Sequence, residues 1–74
     1  MNKARRSRVR AVVSTLTPLI DEIEDIRSEE EDVLENTPEN LQGSYRYEET
    51  EECVDALSEA ASNLQSVVES LENI

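Results

Sequence analysis

The side chains best able to do chemistry are carboxylates, and their densest group is the acidic run at residues 29–32. Calcium loops need carboxylates at alternating positions around a glycine turn, whereas consecutive acids on a helix point around the cylinder and do not converge on one ion. The chain has no histidine, which excludes Ser-His and Cys-His dyads and the zinc patterns that use histidine. Cys53 is the only cysteine and closes no intramolecular disulfide. We therefore expect no enzymatic activity, no metal and no cofactor.

The charges are divided unevenly along the chain. Residues 1–20 hold five basic residues and no acid, a net +5, whereas residues 21–74 hold two arginines and 18 acids, a net −16, and together they give −11. Such asymmetry concerns the partners of a protein more than its fold. The basic residues of the first segment, called the basic tip, are Lys3, Arg5, Arg6, Arg8 and Arg10.

Three interpretations of the basic tip are open. The first is ion pairing within the protein or between subunits, for which Glu69 and Glu72 are candidates. The second is contact with a protein partner. The third is binding of nucleic-acid phosphates, which the acidic remainder of the chain opposes.

Two further groups are candidate contact surfaces. Tyr45 and Arg46 belong to the only aromatic cluster, and tyrosine and arginine are over-represented in binding hot spots. Tyr47 is expected to pack at the end of the structure, and Glu30 to turn inward as a polar contact. A negatively charged face for a basic partner is predicted from Glu29, Glu31, Asp32, Glu48, Glu49, Glu51 and Glu52.

The second half of the chain has the clearest structural pattern. Apolar or small side chains recur at alternating spacings of three and four residues, which is typical of a helix seam of coiled-coil type. Ser44 suits an N-cap, and the glutamates after it suit the positive end of the helix dipole. A helix over about residues 45–73 is therefore predicted. Its seam consists of Tyr47, Thr50, Val54, Leu57, Ala61, Leu64, Val68 and Leu71.

A second helix is predicted over about residues 3–35. Pro18 deletes a helical hydrogen bond, so we expect a kink there or a restart capped by Thr17. The apolar stripe is wide because the neighbours at 12–13 and at 19–20 are both apolar. One partner helix would not cover this stripe, which predicts a second interface. The stripe consists of Val9, Val12, Val13, Leu16, Leu19, Ile20, Ile23, Ile26, Val33 and Leu34.

Residues 36–44 form the corner between the two helices. Pro38 ends the first helix or starts a turn capped by Thr37, Leu41 tucks under the corner, and Gly43 is expected to supply a left-handed exit. A short connection between two long helices indicates an antiparallel hairpin. With the corner centred near residue 40, the facing pairs are Leu16 with Leu64, Ile23 with Leu57, Ile26 with Val54, Val33 with Tyr47, and Glu30 with Thr50.

The predicted fold is an all-α, two-helix antiparallel hairpin of coiled-coil type, forming a single domain over residues 1–74. Since a chain of this size buries only a small core, we expect it to dimerise into a four-helix bundle. The residues predicted for the seam of the hairpin and the bundle are Val12, Val13, Leu16, Leu19, Ile20, Ile23, Leu57, Ala61, Leu64, Val68 and Leu71.

The corner also carries a family resemblance. Residues 26–30 read Ile-Arg-Ser-Glu-Glu and residues 36–42 read Asn-Thr-Pro-Glu-Asn-Leu-Gln, and an acidic heptad helix follows. At this spacing they resemble a family of small, generally uncharacterised proteins of bacteriophages and prophages that read as acidic helical hairpins. The resemblance covers roughly residues 20–74. It implies a phage context and supplies no activity.

These features favour an acidic, non-enzymatic phage protein that occupies a basic surface on a host nuclease or defence protein by imitating nucleic-acid phosphates. Two alternatives are a nucleic-acid-binding hairpin dimer that uses the basic tips, and a structural or assembly adaptor whose seam docks onto another helical protein. The expected partners are a second copy and a host protein. No apolar run is long enough to span a membrane, and a lone cysteine fits the bacterial host cytosol.

Overall fold

The computed structural model describes all 74 residues as two long helices joined by a short corner. Helix α1 spans Lys3–Glu35, a 3-10 turn spans Glu39–Leu41, and helix α2 spans Tyr45–Glu72. The helices pack side by side into a rod of 59 × 14 × 13 Å. The predicted all-helical hairpin is thereby confirmed.

Both helices begin with a side-chain cap. The Asn2 side chain accepts a hydrogen bond of 2.8 Å from the backbone N–H of Arg5. Ser44 Oγ accepts one of 3.2 Å from the backbone N–H of Tyr47. Each cap satisfies a donor that the first helical turn leaves without a partner, and Ser44 is the N-cap that the sequence predicts.

Helix α1 runs through Pro18 without interruption, so the predicted alternative of a restart is wrong. Thr17 is not a cap, because its hydroxyl donates back to the carbonyl of Val13 at 3.0 Å. Pro18 and Ser14 are exposed, so water can bond the Ser14 carbonyl that has lost its helical donor. The kink expected at Pro18 stays a prediction.

The corner turns without a left-handed residue. No residue has a positive φ, so the left-handed exit predicted for Gly43 is wrong. The chain turns instead through the 3-10 hydrogen bond of 2.9 Å from the Leu41 N–H to the Pro38 carbonyl. The Leu41 side chain is 49% exposed, so the prediction that it tucks under the corner is wrong. The Thr37 hydroxyl donates to the Val33 carbonyl at 2.7 Å, so it closes the end of α1 rather than capping the turn.

The packed core is small and lies in the half of the hairpin that contains the chain ends. Only Ile20, Ala61 and Val68 are buried. The half-buried side chains packed on them are Val13, Leu16, Ile23 and Leu64. The chain exposes 5742 Å², against about 4,600 Å² expected of a compact monomer of this mass. A single hairpin therefore leaves much of its surface unburied.

The two helices differ in how closely they follow the predicted seam. On α2, all eight predicted seam residues are buried or half-buried. On α1, Ile26 and Val33 were expected to face Val54 and Tyr47, but they are 40% and 53% exposed. Arg27 and Leu34 turn inward in their place. The reason is that the steps of four and three that keep a helix in register lead from Ile23 to position 27 and not to 26.

Candidate interaction surfaces

The hairpin brings the two acidic groups of the chain to one end. The half around the corner, residues 21–59, holds sixteen acids and two arginines, a net −14. Acids suit the first turn of α2 but oppose the helix dipole at the end of α1, where no basic residue compensates. Local helix stability therefore does not explain the acids of α1. The exposed acids Glu29, Asp32, Glu48, Glu49, Glu51 and Glu52 define the acidic corner.

Glu31 differs from the other acids predicted for this face. Its carboxylate forms an ion pair with Arg27, one turn earlier, and both side chains are half-buried. Glu30 turns half inward, as expected, but Arg27 pairs with Glu31 instead. The Thr50 hydroxyl, expected to meet Glu30, donates to the Arg46 carbonyl at 3.0 Å. This is the only ion pair of the chain, so no carboxylate of the acidic corner is in an ion pair.

The basic tip lies on the first turns of α1, and all five of its side chains are exposed. Glu69 and Glu72 lie at the same end of the hairpin, but they form no ion pair with the tip. The intramolecular pairing considered from the sequence is therefore not made. This half, residues 1–20 and 60–74, holds five basic and two acidic residues, a net +3. The hairpin is thus a rod with charges of opposite sign at its two ends.

A second apolar stripe follows α1 beside the seam. Its residues are seven positions apart, and each directly precedes a buried or half-buried residue of α1. They are Val12 (49% exposed), Leu19 (54%), Ile26 (40%) and Val33 (53%). These four side chains do not belong to the packed core of the hairpin.

Helix α2 has a matching stripe, again one position before seam residues. Its residues are Cys53, Ala60 and Val67. All three are exposed, Val67 to 46%. Positions that precede the seam in both helices lie on one side of an antiparallel pair, and Val33 and Arg46, which hold such positions, line one depression. Together the two stripes form the apolar flank: Val12, Leu19, Ile26, Val33, Cys53, Ala60 and Val67.

The other side of the seam is polar. Glu24 of α1 lines a depression there with Ser58 and Gln65 of α2. The positions equivalent to these form the polar flank: Arg10, Thr17, Glu24, Glu31, Glu51, Ser58, Gln65 and Glu72. The same seam is therefore bordered by two unlike surfaces.

The aromatic cluster is divided between packing and exposure. Tyr47 is half-buried at the corner, where it lines a depression with Leu34 and Pro38. Tyr45 is 81% exposed, and Arg46 is exposed too. The exposure of Tyr45 and Arg46 suits a contact residue, and their role as a hot spot stays a prediction.

Neither helix is both long enough and apolar enough to cross a membrane. No three cysteine or carboxylate side chains are grouped so that they could hold a metal ion. Comparison of the chain with protein-family models, with curated proteins and with solved structures returns no match. A function is therefore inferred from the charge distribution and the geometry of the hairpin.

The structure divides the residues that the sequence assigned to one seam. Val13, Leu16, Ile20 and Ile23 turn toward α2, as do the α2 residues Leu57, Ala61, Leu64, Val68 and Leu71 toward α1. Val12 and Leu19 stay outside the hairpin core, so their place in a bundle seam remains a prediction. Sequence reasoning missed Val67 as a member of an outer stripe. The constant interval of seven residues from Cys53 through Ala60 to Val67 was the signal that would have found it.

Proposed function

We propose that the protein is a non-enzymatic phage interaction protein whose acidic corner occupies a basic surface of a host protein in the bacterial cytosol. The observation that carries this proposal is the net −14 of the corner half, with a single carboxylate of the whole chain in an ion pair. Unpaired acids at this density repel one another and lower the stability of the fold. A partner that neutralises them accounts for their presence.

The target that best fits this charge is a protein that binds nucleic acid, such as a nuclease or a defence protein. Its groove is lined with lysine and arginine to neutralise phosphates. A rod only 14 Å wide with carboxylates along its surface offers a substitute polyanion to such a groove. Complementary charge also speeds association at low salt. The resemblance to phage-encoded hairpins supports a host protein as the target.

Affinity capture from host cells with matched variants tests this proposal. The test variant neutralises the corner through Glu29→Gln, Asp32→Asn, Glu48→Gln and Glu52→Gln. The control neutralises four acids outside the acidic corner, three near the middle of the rod and one in the tip half, through Asp21→Asn, Glu22→Gln, Glu59→Gln and Glu69→Gln. We expect the wild type and the control to recover the same basic host protein, less of it as salt rises, and the corner variant to lose it. Equal recovery by all three proteins would contradict the proposal.

Nucleic-acid binding through the basic tip is a second candidate, supported by the absence of ion pairs at these five side chains. Filter binding of duplex DNA and of RNA over a range of salt concentrations distinguishes it from the first candidate. Salt-dependent binding that is lost on replacing Arg5, Arg6, Arg8 and Arg10 with alanine would favour it. A stable protein with no affinity for either nucleic acid would exclude it.

We further propose that the working form is a homodimer with the architecture of a four-helix bundle. Two observations support this dimer. The chain exposes more surface than a compact monomer of its mass, and the apolar flank leaves valine, leucine and isoleucine side chains in contact with water. A face of 59 × 14 Å has an area of about 800 Å², which is what each partner buries in a standard protein interface. If the protein is instead an assembly adaptor for another helical protein, the chain alone stays a monomer.

A further inference from the structure

We infer that the apolar flank of each hairpin is covered by the apolar flank of a second copy, which lies antiparallel to the first. The basic tip of each copy then lies beside the acidic corner of the other. This inference rests on the proposed dimer and adds its contact surface and its orientation.

The apolar flank is the side of the hairpin that suits such an interface. Its exposed valine, leucine and isoleucine side chains repeat every seven residues along α1, and Cys53, Ala60 and Val67 repeat at the same interval on α2, so the flank stays in line along the rod. The polar flank has carboxylates, an arginine, serine, threonine and glutamine at the corresponding positions. The outward-facing positions near the corner are dominated by acids. An interface on the apolar flank therefore displaces more water from apolar side chains than one on the polar flank or on the outward-facing acids.

The order of side chains along the flank fits a two-fold axis across the rod. A half-turn about an axis near residue 22 exchanges Val12 with Val33 and Leu19 with Ile26, which are pairs of similar size. On α2 the axis passes near Ala60, whose side chain is the smallest of that stripe. A small residue at the centre leaves room for the larger Leu19 and Ile26 of the second copy. A closed two-fold dimer needs this kind of self-complementary surface.

The charges that border the flank select the antiparallel orientation. Arg5 and Arg8 lie at its tip end, whereas Glu29 and Glu49 lie at its corner end, and all four are exposed. In an antiparallel dimer each tip, in the half with net +3, lies against the half with net −14. In a parallel dimer the two −14 halves would lie side by side, and juxtaposed like charges are unfavourable. The basic tip thereby acquires the acidic partners that it lacks within its own chain.

Distances between spin labels test this orientation. The labels are attached to Ser7→Cys or to Ser28→Cys in a Cys53→Ala background, because both serines are exposed and neither belongs to the apolar flank. With a rise of 1.5 Å per residue, an antiparallel dimer separates two Ser7 labels by about 45 Å along the rod. A mixture of the two labelled proteins gives about 14 Å along the rod for the Ser7–Ser28 pair. We expect the mixed pair to be the closer one.

Two other outcomes would overturn the inference. A Ser7–Ser7 distance shorter than the mixed distance means a parallel dimer, and this overturns the orientation while the proposed dimer stands. A dimer that keeps its mass and its label distances when Leu19→Glu and Ile26→Glu are combined uses a different surface, and this overturns the assignment of the flank. A monomer gives no label distance between copies. Failure of the proposed dimer is therefore distinguished from failure of its orientation or of its contact surface.

Discussion

The seam between the two helices has an apolar flank on one side and a polar flank on the other, and the two flanks are equally close to it. Leu19 and Thr17 are separated by one residue on α1, as are Val67 and Gln65 on α2. All four side chains are exposed in the single hairpin. The seam depends on neither flank, since Ile20, Ala61 and Val68 are buried while the flank side chains stay exposed. Packing of the seam therefore does not explain why one flank is apolar and the other polar. We attribute the difference to contact of the apolar flank with another molecule.

The largest contrast between the flanks is expected on adding charge to them. Leu19→Glu combined with Ile26→Glu puts two carboxylates into the proposed interface, where desolvating unpaired charges is costly. We expect the dimer dissociation constant to rise by about 1,000-fold or more, which corresponds to about 4 kcal/mol. Sedimentation equilibrium measures it.

The matched control for this variant adds the same two charges to the polar flank through Ser58→Glu and Gln65→Glu. Both positions are exposed on α2, so we expect little change in the dissociation constant. An equal rise in both variants would mean that net charge, and not the position of the charge, governs assembly. No rise in either would remove the contrast between the flanks.

The seam itself is expected to be more sensitive in stability than the polar flank. Ile20 is 3% exposed, and Ile20→Ala leaves a cavity in a core of three buried residues. Such truncations cost about 2–5 kcal/mol. Ser58→Ala on the polar flank is expected to stay within about 0.5 kcal/mol. Urea unfolding of both variants gives the free energies of unfolding, and similar values for the two would contradict the seam as described.

Charge reversal at the tip is expected to have an intermediate effect on assembly. Arg5→Glu with Arg8→Glu places acids beside the acidic corner of the second copy, and we expect the dissociation constant to rise by about tenfold, or about 1.4 kcal/mol. Salt reduces this effect because the charges are exposed. Adding Glu35→Arg and Glu39→Arg, at exposed positions that the half-turn about residue 22 places about level with Arg8 and Arg5 of the second copy, restores opposite charges and is expected to restore the affinity. Absence of this rescue in isothermal titration or sedimentation would argue against tip-to-corner contact.

The smallest effect concerns the corner that joins both flanks. Gly43 does not have a positive φ, and no atom beyond its chain neighbours lies within 4 Å of a Cβ built on it. Gly43→Ala restricts the unfolded chain without strain in the folded one, so we expect a gain of about 0.4–1 kcal/mol in the free energy of unfolding. Thermal unfolding measures it. A loss of stability would show that the corner needs the freedom of glycine.

The hairpin and the α2 seam could be predicted because hydrophobic spacing determines both. The eight seam residues of α2 alternate in steps of three and four without exception, and they all turn inward. On α1 apolar residues occupy successive positions at 12–13, 19–20 and 33–34, so hydrophobicity alone did not identify which of them faces α2. The register of steps of four and three places Arg27 in the seam where Ile26 was expected. The conformation of Gly43 was missed because a 3-10 turn closes the corner without a left-handed residue.

The molar mass of the unmodified chain in solution tests the central claim most directly. Because the apolar flank is too exposed for a monomer in water, we predict that sedimentation equilibrium at micromolar concentration gives about twice the chain mass of 8.4 kDa. A folded, helical species that stays at 8.4 kDa over this range would contradict the account, because the apolar flank would then be stable without a partner.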